Sequence, residues 1–342
     1  MSLLRIGLMV WGLSLTLVMV ARVIGKVLPE GAQLAFSAIE PDMTITIYLY
    51  DLTRRLTVPL VFDVDRTLSF SPTRQLIFSQ PTHDEEYAVF RWHDGETVQL
   101  SPDGVRDRYP AWSPDGTQVA FLSFTDELST LTIMNADGSQ RRALANEGCP
   151  NIRTIPIWLP DSQRIMFRYG DDQVQLACVI DTVSGETWDF AHDTNIPSLP
   201  AWSPDGTRIA FAIETPNFAN IYSADITQNS VSNIGQLTQG TNDFNTNPRW
   251  SPDGAQIAFI SNRSGNREIY VMNADGSGVR NVSQSNANDF FPLWSPDSTQ
   301  LAFISNEEGD WGITMNAVDG TSSRRITYRF RARPILMVWL GS

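Results

Sequence analysis

Short apolar segments separated by turn residues recur along most of this chain. Four of them are nearly identical: YPAWSPDGTQVAF (109–121), LPAWSPDGTRIAF (199–211), NPRWSPDGAQIAF (247–259) and FPLWSPDSTQLAF (291–303). Each consists of an apolar run that ends in Trp, a turn, and a second apolar run that ends in Phe. Proline sets φ in the turn, aspartate can bond its own backbone, and the glycine of three copies accepts a positive φ. Each copy therefore predicts a β-hairpin.

Less regular copies fill the remaining intervals, namely IPIWLPDSQRIMF (155–167), TLSFSPTRQLIF (67–78) and VLPEGAQLAF (27–36). The phenylalanines that end the seven copies lie 42 to 48 residues apart: Phe36, Phe78, Phe121, Phe167, Phe211, Phe259 and Phe303. Two further strands, such as REIYVMN (267–273) and VRNVS (279–283), complete each unit. A repeat of this length with four short strands is typical of a propeller blade.

These observations predict an all-β fold, a seven-bladed β-propeller with four-stranded blades over residues 27–342. The first copy lacks a clear inner strand, and RPILMVWL (333–340) repeats the approach from proline to tryptophan. We therefore expect this C-terminal segment to supply the inner strand of the first blade and close the ring. The repeated tryptophans are expected in the core, because a ligand site seldom recurs in every repeat.

One N-terminal hydrophobic helix is predicted ahead of the propeller, within a segment of residues 1–26. Residues 6–21, IGLMVWGLSLTLVMVA, are uncharged, and the apolar stretch extends to residue 24 across Arg22. This length suits an uncleaved membrane anchor at residues 6–24, with a cleaved signal peptide and a buried helix as alternatives. Arg5 on one side roughly balances Arg22 and Lys26 on the other, so the charges do not choose an orientation.

The composition describes a globular, acidic protein, with 42% hydrophobic residues, 18% charged residues and a formal charge of −13. The first 26 residues hold three basic residues and no acid, so the propeller is more acidic still. Nucleic acid is a poor partner for such a surface, whereas a basic protein or peptide suits it. The two cysteines, Cys149 and Cys178, leave open whether they pair and do not decide the compartment.

No sequence motif predicts catalysis, a cofactor or a metal centre. The GxSxG nucleophile motif, the HExxH zinc motif and the glycine-rich phosphate loops do not occur. The three histidines, at positions 83, 93 and 192, have no partner at metal-ligand spacing. We therefore expect a protein without catalytic activity.

One face of the predicted propeller collects acidic and aromatic residues. Its loops join the second strand of each blade to the third, or join consecutive blades, and together they are called the loop face below. Six of the seven loops of the first kind carry acids. Loops on a rigid scaffold commonly carry recognition, although an acidic protein also covers its loops with solvated carboxylates. The candidate binding residues are Asp107, Tyr109, Asp193, Asp243, Phe244, Asp289, Phe291, Glu307, Glu308 and Asp310.

The string WSPDG followed by IAF resembles the WD40-like repeat of TolB-type β-propellers, over essentially everything after residue 26. Such propellers occur in periplasmic proteins of the Tol system, in sensor and surface proteins, and in front of the catalytic domain of peptidases. The chain differs from TolB in lacking its separate N-terminal α/β domain and in showing seven repeats where TolB has six. The resemblance implies a binding scaffold outside the cytoplasm, in the periplasm or at the cell surface.

Three functions are therefore considered. The first is a membrane-tethered, non-catalytic scaffold that binds a protein or peptide at the loop face. The second is a hydrolase or lyase with carboxylates at the mouth of the propeller channel. The third is an accessory sensor module of a signalling or peptidase system.

Overall fold

The part of the chain that the structure describes contains 28 β-strands. The structure is a computed structural model, and it describes residues 33–40, 43–53, 55–61, 64, 67, 69–82, 86–93, 96–126, 128–144, 149, 152, 154–170, 175–188, 190, 200–227, 230–307, 310–326 and 333–340. The strands form seven four-stranded antiparallel sheets, each one a blade. The prediction of a seven-bladed propeller with four-stranded blades is confirmed.

The strands follow the repeat of the sequence. Blade 1 contains β1 (Gln33–Ile39), β2 (Ile45–Asp51) and β3 (Leu56–Val61). Blade 2 contains β4 (Ser69–Phe70), β5 (Leu76–Pro81), β6 (Tyr87–His93) and β7 (Glu96–Gln99). Blade 3 contains β8 (Arg106–Trp112), β9 (Gln118–Phe124), β10 (Ser129–Asn135) and β11 (Arg142–Ala143). Blade 4 contains β12 (Ile157–Trp158), β13 (Arg164–Gly170), β14 (Gln175–Asp181) and β15 (Thr187–Trp188).

The last three blades are built in the same order. Blade 5 contains β16 (Ala201–Trp202), β17 (Arg208–Glu214), β18 (Ala219–Thr227) and β19 (Ser230–Gln236). Blade 6 contains β20 (Asn245–Trp250), β21 (Gln256–Ser261), β22 (Glu268–Asn273) and β23 (Arg280–Asn281). Blade 7 contains β24 (Asn288–Trp294), β25 (Gln300–Glu307), β26 (Asp310–Ala317) and β27 (Ser323–Arg325). The final strand, β28 (Arg333–Leu340), lies beside β1.

The C-terminal strand completes blade 1, as predicted. The order of that sheet is β28-β1-β2-β3, and β28 pairs with β1 from Gln33↔Leu340 to Ile39↔Arg333. The inner strand of blade 1 therefore comes from the opposite end of the chain from its other three strands, which joins the two ends of the ring.

Among the described residues, seven hydrophobic clusters lie between neighbouring blades. The cluster of Phe36, Ala302 and Ile313, for example, joins blade 1 to blade 7. Six similar clusters join the other neighbours around the ring. The seven repeated phenylalanines are all buried at their centres. The core is therefore a ring of interfaces between blades, and each blade depends on both of its neighbours.

The repeated tryptophans are wedges between blades, as the sequence predicts. Trp158, Trp250 and Trp294 are each no more than 8% exposed. Each indole Nε1 donates a hydrogen bond to an inner-strand carbonyl of the preceding blade. The acceptors are Ala111 at 3.0 Å, Ala201 at 3.1 Å and Arg249 at 3.0 Å. Burial of a large ring together with a satisfied N–H fixes the spacing of adjacent inner strands.

The Ser-Pro-Asp turns are closed by their own side chains. In blade 6, the Ser251 hydroxyl donates to Asp253 Oδ1 at 2.6 Å, and the same oxygen accepts the Ala255 N–H at 3.0 Å. Gly254 takes a φ of 71°. A residue with a Cβ adopts this left-handed conformation only at a cost in free energy. The turn therefore favours glycine at this position.

Cys149 and Cys178 form a disulfide bond. Both residues are buried, and the bond ties the connection between blades 3 and 4 to β14. The sequence left this pairing open.

The predicted N-terminal helix and the anchor at residues 6–24 lie outside the described residues. Within the described ranges, no helix is long and apolar enough to span a membrane.

Candidate binding site

Four of the described inner strands, β28 among them, shift register near the loop face, and three of these bulges each contain a left-handed residue. The pairing of β8, β20 and β24 with the next strand shifts register between Arg108/Ala111, Thr246/Arg249 and Phe290/Leu293. Inside these shifts Tyr109, Asn247 and Phe291 have φ values of 61°, 54° and 54°. A left-handed conformation costs a residue with a Cβ roughly 1–2 kcal/mol. Bulges of this kind redirect a side chain, often beside a functional site.

Two of the redirected residues line a cavity of about 640 Å³ at the loop face between blades 5 and 7. Its wall includes Glu214, Phe244, Asn247, Arg267, Phe290 and Phe291. Phe244 is 38% exposed and Phe291 46% exposed, which is high for large apolar side chains on a rigid framework. The volume lies within the range of small-molecule and side-chain pockets.

The aromatic wall of the cavity is held from behind. The ring of Phe290 lies 6.3 Å from that of Phe291 and 5.9 Å from that of Trp311, measured between centroids. The Arg267 guanidinium lies 5.5 Å from the Phe290 centroid, within reach of a cation–π interaction. Phe290 thus supports Phe291 and positions a cation at the rim.

The cavity also carries one charge of each sign. Glu214 and Arg267 both line it, and neither forms an ion pair with another described residue. Both side chains are exposed. The arrangement can therefore offer a carboxylate, a guanidinium and two aromatic faces to the same ligand.

Asp107 is placed differently from the sequence-based expectation of a loop-face residue. It is fully buried, and it accepts hydrogen bonds from Ser101 at 2.7 Å and Ser123 at 2.6 Å. Arg141 forms an ion pair with the same carboxylate and donates from Nη2 to Oδ1 at 3.1 Å. The satisfied carboxylate thus joins blades 2 and 3 and has no contact with the channel.

Asp289 occupies the equivalent position in blade 7 and is also fully buried. Its Oδ2 lies 3.0 Å from the Ser285 hydroxyl, and burial raises the pKa of its carboxyl group. In blade 6 the same position is Asn245, whose Oδ1 accepts a hydrogen bond from Arg263 at 2.7 Å. Sequence reasoning placed Asp289 on the surface because it could not see the direction of the side chain.

Of the other candidates, Tyr109 is partly buried, and its ring meets that of Phe124 edge-on at 6.1 Å. Asp243 is half-buried, and its carbonyl accepts the Ala219 N–H at 3.0 Å. Neither residue lines the aromatic cavity.

The remaining acids are divided by what the structure describes. Asp310 lies 3.3 Å from Arg325 in an ion pair. Glu307 ends β25, and its side chain is outside the described part. Asp193 and Glu308 lie outside the described residues altogether. Binding through these four acids stays a prediction.

A sequence model described as the TolB beta propeller domain matches residues 82–242 and 199–335, which is more than half of the chain. The chain belongs to this family. The match includes the string WSPDG and the strands around it, so the sequence-based resemblance is confirmed. No curated protein sequence matches the chain.

Several solved structures share the fold of this TolB-family propeller. TolB from Acinetobacter baumannii is 16% identical, with a TM-score of 0.55 over 87% of this chain and 79% of that one. The propeller domain of the Trilobed protease from Pyrococcus furiosus is 10% identical, with a TM-score of 0.62 over 88% and 94%. Dipeptidyl peptidase 4 from Porphyromonas gingivalis is 15% identical, with a TM-score of 0.55 over 83% and 48%. At these identities the likeness concerns the fold alone.

The loop face of the TolB-family propeller is less acidic than a count of its carboxylates suggests. Arg106 bridges Glu86 and Asp126, with 2.8 Å to each carboxylate. Each acid is 20 positions from Arg106 in the sequence, one before it and one after it. Their contact with Arg106 therefore follows from the packing of blades 2 and 3. Among the described loop-face acids, Glu214 is the one that combines an exposed side chain with a place in the cavity.

Sequence reasoning missed Asn247 and Arg267. The sequence did contain a signal for Asn247. It directly precedes the proline of its inner strand, as Tyr109 and Phe291 do in theirs. Arg267 gave no signal, because it joins the cavity through the pairing of neighbouring blades.

Proposed function

We propose that this chain is a non-catalytic binding scaffold that docks a protein or peptide at its loop face, centred on the cavity between Phe244 and Phe291. The observation that carries the proposal is this pair of exposed aromatic side chains, Phe244 directly before inner strand β20 and Phe291 within β24 in a strained conformation. Aromatic anchors in a pocket dominate many protein interfaces. A strained residue on a rigid framework is more typical of recognition than of packing.

A basic partner is proposed on the basis of charge. Glu214 can accept a hydrogen bond from a lysine or arginine of the partner, and the chain carries a formal charge of −13. Arg267 at the same rim would favour a partner segment that also holds an acidic group or a free backbone carbonyl. The cavity therefore suits a peptide with a basic residue beside an apolar anchor.

The proposed location is outside the cytoplasm, with residues 6–24 as a membrane anchor. The disulfide between Cys149 and Cys178 supports this location, because disulfide bonds persist in oxidising compartments. The TolB family membership supports it too, since relatives of that kind are periplasmic. The anchor itself rests on the apolar composition of the segment.

The hydrolase or lyase alternative needs carboxylates that converge at the channel mouth. Asp107 and Asp289 were the inner-strand acids available for that role, and both are turned away into the interfaces between blades. Among the described residues, neither can touch a ligand in the channel. The geometry therefore favours binding over turnover.

The test uses a photo-activated cross-linking residue placed at position 244 in the full chain, with the same residue at position 183 as the control. Val183 is 83% exposed in the turn between β14 and β15, which lies on the opposite face of the propeller. We expect position 244 to capture a defined protein that position 183 does not capture. That protein is then purified, and its affinity for the purified propeller is measured by calorimetry.

Three variants test the residues. Phe291→Asn copies the residue that blade 6 carries at the same bulge, so the fold should be kept, and affinity should fall about tenfold or more. Glu214→Gln should mainly slow association, with an effect that fades as salt rises. Val183→Asn is the control and should bind as the unmodified chain does. Equal affinity for all three variants would refute the proposed site.

A further inference from the structure

Arg249 is a charged residue at an inner-strand position that is apolar in four other blades. It stands directly before the inner-strand tryptophan of blade 6, and the residues at that position in blades 3, 4, 5 and 7 are Ala111, Ile157, Ala201 and Leu293. Four of the described inner strands thus carry a small or apolar side chain at this position. One offers a permanent cation.

The guanidinium of Arg249 has no partner among the described residues. No hydrogen bond or ion pair from this side chain occurs there, whereas its backbone carbonyl accepts the indole N–H of Trp294. Burial lowers the pKa of Arg249, and no acid acts against that effect. Arg249 is nevertheless an exposed residue. Its guanidinium is therefore open to solvent and to a ligand that enters the channel.

The charge therefore remains, because a guanidinium keeps its proton in proteins. An exposed guanidinium without a counterion is available to pair with an anion. Such a site gains from an anion that enters from the channel.

A cavity of about 370 Å³ adjoins the guanidinium. Besides Arg249 it is lined by Asn247, Trp250, Phe291, Leu293, Trp294 and Met337, among others. Apart from Arg249 and Asn247, this set is apolar. Phe291 and Asn247 also line the loop-face cavity, so the two spaces adjoin at these residues. A ligand can thus place a polar head on Arg249 and an apolar body against the tryptophans and Leu293.

We infer that the channel binds a small organic carboxylate, with the carboxylate on the Arg249 guanidinium and the hydrocarbon body on the apolar wall. A guanidinium can donate two parallel hydrogen bonds to a carboxylate. The single cation and the apolar remainder disfavour a small multivalent anion such as phosphate, which would keep too few of its hydrogen bonds. This site does not rest on the proposed function, since its ligand is anionic and it is held by Arg249, which does not line the loop-face cavity.

Benzoate is the probe. Benzamide is its uncharged counterpart of the same shape, and inorganic phosphate is an anion without a hydrocarbon group. Binding to the full chain is measured by calorimetry. Arg249→Leu copies the residue that blade 7 carries at this level, and Arg249→Gln is a second, polar variant. Arg324→Leu removes the same charge from the outermost strand of blade 7 and serves as the control.

We expect benzoate to bind the unmodified chain and Arg324→Leu equally, and to bind both Arg249 variants at least tenfold more weakly. Benzamide and phosphate should each bind at least tenfold more weakly than benzoate. Equal binding of benzoate to Arg249→Leu, equal binding of benzamide, or tighter binding of phosphate would overturn the inference. Absence of benzoate binding at millimolar concentration would overturn it as well.

Discussion

Removal of the C-terminal strand is the most direct test of how the ring is held. Deletion of residues 333–342 takes away β28, the inner strand of blade 1. The two faces of β28 serve two neighbours. Val338 and Leu340 pack into the cluster shared with blade 2, whereas Met337 and Trp339 pack into the cluster shared with blade 7. The deletion therefore weakens both interfaces of blade 1 and exposes the edge of β1.

The expected loss of stability follows from these four side chains. Full burial of a large apolar side chain stabilises by about 1.5–3 kcal/mol. Of the four, Leu340 is fully buried and the others are partly buried, so we expect a total loss of about 5 kcal/mol. That loss is comparable to the whole stability of many domains, about 5–15 kcal/mol. At roughly 2 °C for each kcal/mol in a chain of this size, the melting temperature should fall by about 10 °C or more.

The assay is thermal unfolding followed by circular dichroism, together with binding of a dye that fluoresces on apolar surface. A point variant separates packing from truncation: Leu340→Asp places a charge in the cluster shared with blade 2, and Val183→Asp places it on an exposed turn. We expect Leu340→Asp to resemble the deletion and Val183→Asp to resemble the unmodified chain. A truncated chain that melts within about 2 °C of the full chain, without dye binding, would refute the role of β28 in closure.

Three other properties can be tested in the same way. Trp250→Phe should lower the free energy of unfolding by about 1–3 kcal/mol, because a buried carbonyl loses its donor. Trp202→Phe is the matched control and should cost less, since the indole N–H of Trp202 has no acceptor among the described residues; equal losses in urea titrations would contradict the wedge. The serine that opens its turn lowers the pKa of Asp253 through a hydrogen bond. The Asp253 carboxylate therefore contributes its full stabilisation above the pKa of the unfolded chain, about 3.9. The contribution disappears as the pH falls through the lower pKa of the folded state. Asp253→Asn should flatten the dependence of melting temperature on pH below about pH 4, and an unchanged slope would count against this. Replacement of Cys149 and Cys178 by Ala opens a loop with a sequence separation of 29 residues. This should cost about 3.5 kcal/mol in the chain-entropy view, and a reductant should have the same effect on the native chain but none on the variant.

The blades and their number could be predicted because their determinants are local. A Ser-Pro-Asp turn closes through atoms a few residues apart, as in the contact of Ser251 with Asp253, so the turn chemistry is written in one short segment. The alternation of apolar residues then assigns the buried positions of each strand, including the tryptophans. The closing role of β28 was also predictable, since the first repeat lacks an inner strand and the last segment supplies one.

The binding site was only partly predictable. Phe244 and Phe291 were expected at the loop face, and the structure brings both to one cavity. Asp107 was expected there too, yet it is buried against Arg141, a residue 34 positions later in the chain. The direction of an inner-strand side chain depends on the bulge and on the neighbouring blade, and neither is encoded within the segment itself.

Sequence alone therefore determined the repeat, the seven blades, the tryptophan wedges and the acidic character of the chain, because each depends on local turns, period and composition. Tertiary structure decided which carboxylates are buried, the pairing of Cys149 with Cys178, and the isolation of Arg249 in the channel. These properties depend on contacts between blades, and a contact between distant residues exists only after the ring has closed.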